Sequence, residues 1–321
     1  MRLFMPRVTL RFVLRLGAAL AGSALVITAC GQAAPVHRDP SARQGTPARR
    51  STPARKPASR SPAPVATVTT RPAAGGICAS VTYPQLATRI SAGIKAALAD
   101  RSSLVGLAVD DPALGLTCAL HQRWHDDAAS VAKVMILGAL LHELAAEGRQ
   151  LSPQQSELAE EMITESDDSA ASDLWGEVGP TAMQDFLDLA GMTETTLGPG
   201  IYWGLTQVDA HDEMRLLRLL VTTNTVLDPA AQTYVLKLMA DVTPSQRWGV
   251  PAGAPADVTV HVKNGWLPDP DLWVINSIGD FTGRDDDASI VILTEENPSM
   301  SYGIDTVQAA AEAINHGLSQ K

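Results

Sequence analysis

The sequence predicts an α+β domain in which a five-stranded, largely antiparallel sheet is flanked by terminal helices and carries an inserted all-helical lobe. Two observations carry that expectation. Segments of strand period form an early pair and a late trio, with a long series of helical segments between them. A helical stripe also opens the patterned region, and another closes it.

The first 76 residues precede that pattern. Residues 1–29 begin with Arg2, Arg7, Arg11 and Arg15, hold no acidic residue, and continue through an apolar run to Ile27-Thr28-Ala29-Cys30. A basic start, a short apolar core and a small residue before a cut site describe an export signal. The ending resembles a bacterial lipobox, which implies cleavage before Cys30 and lipidation of its thiol; an uncleaved anchor helix is the alternative. Either reading exports the chain, and the lipobox reading anchors it by lipid on the outer face of the cytoplasmic membrane or in the cell envelope.

The segment 30–76 is expected to be a disordered tether. Residues 31–76 hold eight prolines and no Leu, Ile, Phe, Met or Trp. So little apolar surface cannot offset the entropy cost of ordering the chain.

The remaining 245 residues, 77–321, suffice for one sizeable domain. Of 25 basic and 35 acidic residues in the chain, four Arg lie in the signal and eight basic and one acidic residue in the tether. The domain therefore holds 13 basic and 34 acidic residues, a net charge of −21. Such a surface repels phosphate backbones and anionic lipid, so no nucleic-acid partner is expected and membrane contact runs only through Cys30. The protein is expected to act as a monomer. Cys78 and Cys118 form an even pair in an exported domain, which suggests a disulfide, with two separate thiols as the alternative. No His/Cys/Asp cluster has metal-ligand spacing, and no cofactor is called for.

The elements follow in order. Leu86, Ile90, Ile94 and Leu98 form one stripe of a helix over 84–100. Strands at Leu104–Asp110 and Leu116–His121 flank an Asp110-Asp111-Pro112 turn. Ala129–Glu147 is apolar almost all round and stops at Gly148, the pattern of a buried central helix. Ser152-Pro153 starts a helix to about Thr164. Further helices read at 169–178, 180–190, 209–222 and 229–241. Strands at Val258–Lys263, Leu272–Phe281 and Ala288–Thr294 follow, with a turn at Gly283-Arg284-Asp285, and a helix over 302–318 ends the chain.

Three motifs carry the chemistry. In Ser130-Val131-Ala132-Lys133, spacing of three puts serine and lysine on one helical face. A lysine in an apolar place can lose its proton near neutrality and serve as a base. The second motif is Ser166-Asp167-Asp168, between one helix and the next; the third is Lys263-Asn264-Gly265-Trp266, on a late strand. Together they resemble the serine–lysine, Ser-Asp-Asn and Lys-Thr-Gly motifs of class A β-lactamases and penicillin-binding proteins, in the same order and setting. The resemblance covers roughly residues 84–318 and implies the β-lactamase/transpeptidase-like fold.

The resemblance also implies the roles. Ser130 would attack a carbonyl, Lys133 would take or relay its proton, and Ser166 would pass a proton toward the leaving nitrogen. Lys263 would supply positive charge to a substrate carboxylate and to Ser166. The backbone N–H groups of Ser130 and Trp266 would form an oxyanion hole, with Gly265 small enough for close approach. The substrate would be a small molecule or a peptidoglycan-derived peptide.

Three departures qualify this. Asp168 stands where the family has Asn, and an ionised carboxylate accepts but cannot donate. Asn264 replaces a hydroxyl residue, with an amide that could still donate to a substrate carboxylate. The loop that carries the deacylating Glu in class A enzymes corresponds to Thr195–Gln207, which holds no carboxylate; Glu194 and Asp209 flank it, and Gln207 could orient a water. Trp203, Trp248, Arg247 and Arg284 are minor crevice candidates, and His125 reads as a surface residue. The expectation is a serine acyl-hydrolase. A slow-turnover penicillin-binding or D-Ala-D-Ala carboxypeptidase-type protein and a non-catalytic envelope lipoprotein are the alternatives.

Overall fold

A computed structural model describes residues 76–283 and 287–320; the predicted signal, Cys30, the tether, Arg284 and Asp285 lie outside them. The strands are β1 (Cys78–Ser80), β2 (Leu104–Asp111), β3 (Leu116–Leu120), β4 (His125–Asp127), β5 (Gln207–Asp209), β6 (Thr259–Asp269), β7 (Leu272–Thr282) and β8 (Ala288–Asn297). The helices are α1 (Pro84–Leu98), α2 (Ala132–Ala146), α3 (Pro153–Glu160), α4 (Asp168–Ala190), α5 (Ala210–Val221), α6 (Pro229–Ala240) and α7 (Met300–Leu318).

The main sheet runs β1-β3-β2-β8-β7-β6 and is antiparallel throughout. It has six strands rather than five. The extra one, β1, is three residues long and shows no alternation that a pattern search could register; it is held on the edge by its pairing with β3. A second sheet of β4 and β5 is likewise too short and polar to read.

Helices α1 and α7 pack on each other and on the sheet, burying the predicted stripe of Leu86, Ile90 and Ile94. Helix α5 packs against β2, β7 and β8, and α2 packs chiefly against α4 in the helical lobe. Burial of α2 follows from its composition, since ten of its fifteen residues are buried, Lys133 among them. The helices predicted at 169–178 and 180–190 run on as α4 through a kink at Gly179, where φ is 73° and Pro180 follows. The helix predicted to reach Thr164 ends at Glu160, and one π turn, Glu161–Glu165, replaces its last part.

Cys78 and Cys118 face each other across the β1–β3 ladder and form a disulfide that closes a 40-residue separation. Constraining a loop of that length in the unfolded chain is worth about 4 kcal/mol in the loop-entropy account. Replacing both cysteines with alanine is therefore expected to lower the unfolding free energy by 2–4 kcal/mol, read as a lower urea midpoint. An unchanged midpoint would show that the edge strand does not depend on the crosslink.

Candidate active site

Ser130 stands where β4 turns into α2. The preceding Ala129 is left-handed (φ 48°), a conformation that costs a non-glycine residue about 1–3 kcal/mol and needs outside support. Support comes from two sides. Ala128 N donates to Thr206 O at 2.8 Å, and Asn276 Nδ2 of β7 donates to Asp127 O at 2.8 Å and Ala128 O at 3.2 Å. Ala129–Val131 then forms a single 3₁₀ turn that leads into α2.

Lys133 lies one turn on and is completely buried. Its Nζ is 2.9 Å from Ser130 Oγ, 2.7 Å from Ser166 O, 3.1 Å from Ser166 Oγ and 2.6 Å from Asp168 Oδ1. An ammonium has three N–H donors and four oxygens surround this one, so it cannot donate to all of them at once. A neutral amine, with two N–H donors and one lone pair, can accept the Ser130 proton while donating to two of the other oxygens. Burial pulls the Lys133 pKa below its usual 10.5, while the hydrogen bond and charge of Asp168 push it back up. The indole of Trp203 covers the amine, its ring centroid 4.8 Å from Nζ.

Ser166 is placed by the π turn, whose last residue it follows in left-handed backbone (φ 61°). Asp167 then caps α4, its Oδ1 accepting from Ala170 N at 2.7 Å, and Asp168 is the first helical residue. Lys263 reaches the same hydroxyl from β6, with Nζ 2.9 Å from Ser166 Oγ and 3.0 Å from Asn264 O. Its pKa is driven well below 10.5 by complete burial first and by the Lys133 charge second, with Asp168 opposing. Ser166 thus joins two buried lysines into one hydrogen-bonded relay.

Gly265 lies against the turn that carries Ser130. A Cβ there would sit 2.9 Å from Ala128 O, 2.9 Å from Ser130 N and 3.1 Å from Val131 N, so only glycine lets β6 come this close. The following Trp266 is half-buried beside Trp248, their ring centroids 6.1 Å apart.

The fold therefore gathers Ser130, Lys133, Ser166, Asp168, Lys263 and Gly265, but not every candidate. Asn264 is 1 % exposed, and its Nδ2 is spent on Gln246 O (2.7 Å) and Trp248 O (2.9 Å). It faces away from Lys263 and Gly265 by strand alternation, which corrects the expectation that its amide donates to a substrate. Arg247 is spent on Ala240 O and Val260 O. Gln207 donates to the Asp127 carboxylate. Asp209 is buried, capping α5 through Asp212 N at 2.7 Å and taking a 3.4 Å contact from Arg123. His125 is exposed.

Two contributors were not legible. Asn276, which buttresses Ala128, could have been flagged only as a polar residue inside an apolar strand. The stapling of the 195–207 loop depends on contacts between distant segments, such as Trp175 Nε1 to Gly200 O at 2.9 Å and Trp203 Nε1 to Ser172 Oγ at 3.2 Å. The fold also brings together Asp209, His211 and Asp212, a set that spacing did not suggest as metal ligands. Their oxygens already accept from Asp212 N, Glu194 N, Thr195 N and Thr195 Oγ1, so the set serves as a loop-and-helix cap.

Residues 152–318 match the model of a family described as the beta-lactamase enzyme family. No curated protein matches. Among solved structures, a class A beta-lactamase representative from Bacteroides cellulosilyticus superposes with a TM-score of 0.64 at 16% identity, covering 73% of this chain and 98% of its own. A beta-lactamase from Sphaerobacter thermophilus gives 0.62 at 18% identity over 73% and 98% of the two chains. PBP-A gives 0.63 at 17% identity over 73% and 97%.

Proposed function

The chain belongs to the beta-lactamase enzyme family, and from that premise we propose that it is a serine acyl-hydrolase that forms an acyl-enzyme on Ser130 with β-lactams or related amide and ester substrates. The observation that carries this reading is the 2.9 Å approach of a fully buried lysine amine to Ser130 Oγ. A desolvated amine with a lowered pKa is a base at the pH where a serine hydroxyl needs one. A PBP-A variant described as an acyl-enzyme complex with penicillin G has the same fold, which adds support.

In the proposed cycle Lys133 takes the Ser130 proton as Oγ attacks the carbonyl. The backbone N–H groups of Ser130 and Trp266 receive the developing oxyanion. The relay Lys133–Ser166–Lys263 returns the proton to the leaving nitrogen, and the Lys263 charge draws a substrate carboxylate toward Ser166. Protein groups supply every step, with no metal or organic cofactor. The substrate is a small molecule or a peptidoglycan-derived peptide, met by a monomer that is exported and held at the envelope by a lipid on Cys30. A mature protein whose mass shows no lipid at Cys30 would overturn that anchoring.

The 195–207 loop separates fast from slow turnover. It delivers the Trp203 indole to Lys133 where a deacylating carboxylate would be needed. Incubation with a fluorescent penicillin, followed by peptide mapping, is expected to place the label on Ser130. No label with penicillin, cephalosporin or activated ester, and no hydrolysis of any of them, would leave a binding protein with this fold.

A further inference from the structure

An acyl-enzyme on Ser130 must be broken by a water whose proton goes to a base, and the loop facing Lys133 provides none. Trp203 closes that side of the amine. Asp209, beside the loop, is fully buried and committed to the α5 cap. The carboxylate in direct contact with Lys133 Nζ is that of Asp168, and its side chain is largely exposed.

Its placement suits a base. Asp168 Oδ1 is 2.6 Å from the same Nζ that lies 2.9 Å from Ser130 Oγ, so the two oxygens are at most about 5.5 Å apart. That separation is short enough for a water held by the carboxylate to reach a carbonyl carbon bonded to that Oγ. The Asp168 side chain is 78% exposed, whereas Lys133 and Lys263 are fully buried, so it lies on the side from which water arrives. Among the described residues no hydrogen bond engages Asp168 Oδ2. The backbone that holds it is fixed by the Asp167 cap and by the start of α4.

We propose that Asp168 is the general base of deacylation in this protein, doing from the mouth of the crevice what a loop carboxylate would do from the other side. This rests on the reading of Ser130 as an acylated nucleophile. Asp168 takes a proton from the water as its oxygen adds to the acyl carbonyl carbon. The carbonyl–Oγ bond then breaks, and Ser130 Oγ recovers the proton through Lys133 Nζ. Water is consumed, the acid leaves, and the free serine is restored.

The test is Asp168→Asn, followed with a fluorescent penicillin and a chromogenic cephalosporin in single-turnover and steady-state modes. Acylation is expected to hold or quicken, because Lys133 loses a partner that favours its charged form. Deacylation is expected to fall about 100-fold or more, leaving a persistent adduct by intact mass. Asp168→Ala should behave alike and regain deacylation when formate is added as an exogenous carboxylate. A variant adduct that clears at the wild-type rate, or acylation and deacylation that fall together, overturns the assignment while the Ser130 reading stands. A wild-type adduct that never clears does the same. No adduct on the wild-type protein overturns both.

Discussion

Lys133→Met is expected to slow acylation of Ser130 by about a thousandfold, the middle of the range for loss of a positioned general base. Methionine keeps most of the side-chain volume in a fully buried place, so the packing of α2 against α4 survives. Asp168, mostly exposed, returns to solvent rather than being stranded as a buried unpaired charge. Burying an amine opposes folding, so the melting temperature of the variant should not fall. The pH profile provides the diagnostic. In the proposed acylation the free amine is the base, and burial pulls its pKa below 10.5, so wild-type acylation should rise with pH through a midpoint below that of a free lysine. Lys133→Met should abolish that rising limb. In Asp168→Asn, which removes a cause that raises the Lys133 pKa, the limb should move to lower pH. A Lys133→Met protein that retains the limb and labels at the wild-type rate would remove Lys133 from the chemistry.

The contacts that matter to this prediction differ in how far the sequence shows them. Ser130 and Lys133 were legible because both belong to one turn of one segment, and helical spacing alone brings serine and amine together. Lys263 and Ser166 were legible only through their resemblance to a family pattern, since no local rule joins residues 97 positions apart. Trp203 over Lys133 was not legible, because its position depends on a loop that bonds to its own Thr206 and is stapled to the distant α4 through Trp175 and Ser172. The edge strand β1 escaped notice for a related reason: three residues are stabilised by their partner strand and a crosslink, with no pattern of their own. Asn264 shows the opposite failure. Its place in the motif suggested a donor to substrate, yet strand alternation turns it to carbonyls of 246 and 248.

Gly265→Ala is expected to cost acylation 100- to 1,000-fold, the loss seen when an oxyanion donor is displaced. The added methyl would fall 2.9 Å from both Ala128 O and Ser130 N, and backbone atoms cannot rotate out of the way as a side chain can. Either β6 retreats or the strained Ala129–Val131 turn opens, and both separate the Ser130 N–H from the Trp266 N–H. Asn276, donating to Asp127 O and Ala128 O from β7, resists movement of the turn and so transfers the displacement to the strand. Because the proposed donors are backbone groups, Trp266→Ala retains the N–H and should change acylation only a few-fold. The split between these neighbouring variants is the measurement that decides the matter. Equal losses would make the half-buried indole, rather than the close approach of β6, the basis of reactivity at Ser130. A large loss confined to Gly265→Ala would assign it to backbone geometry.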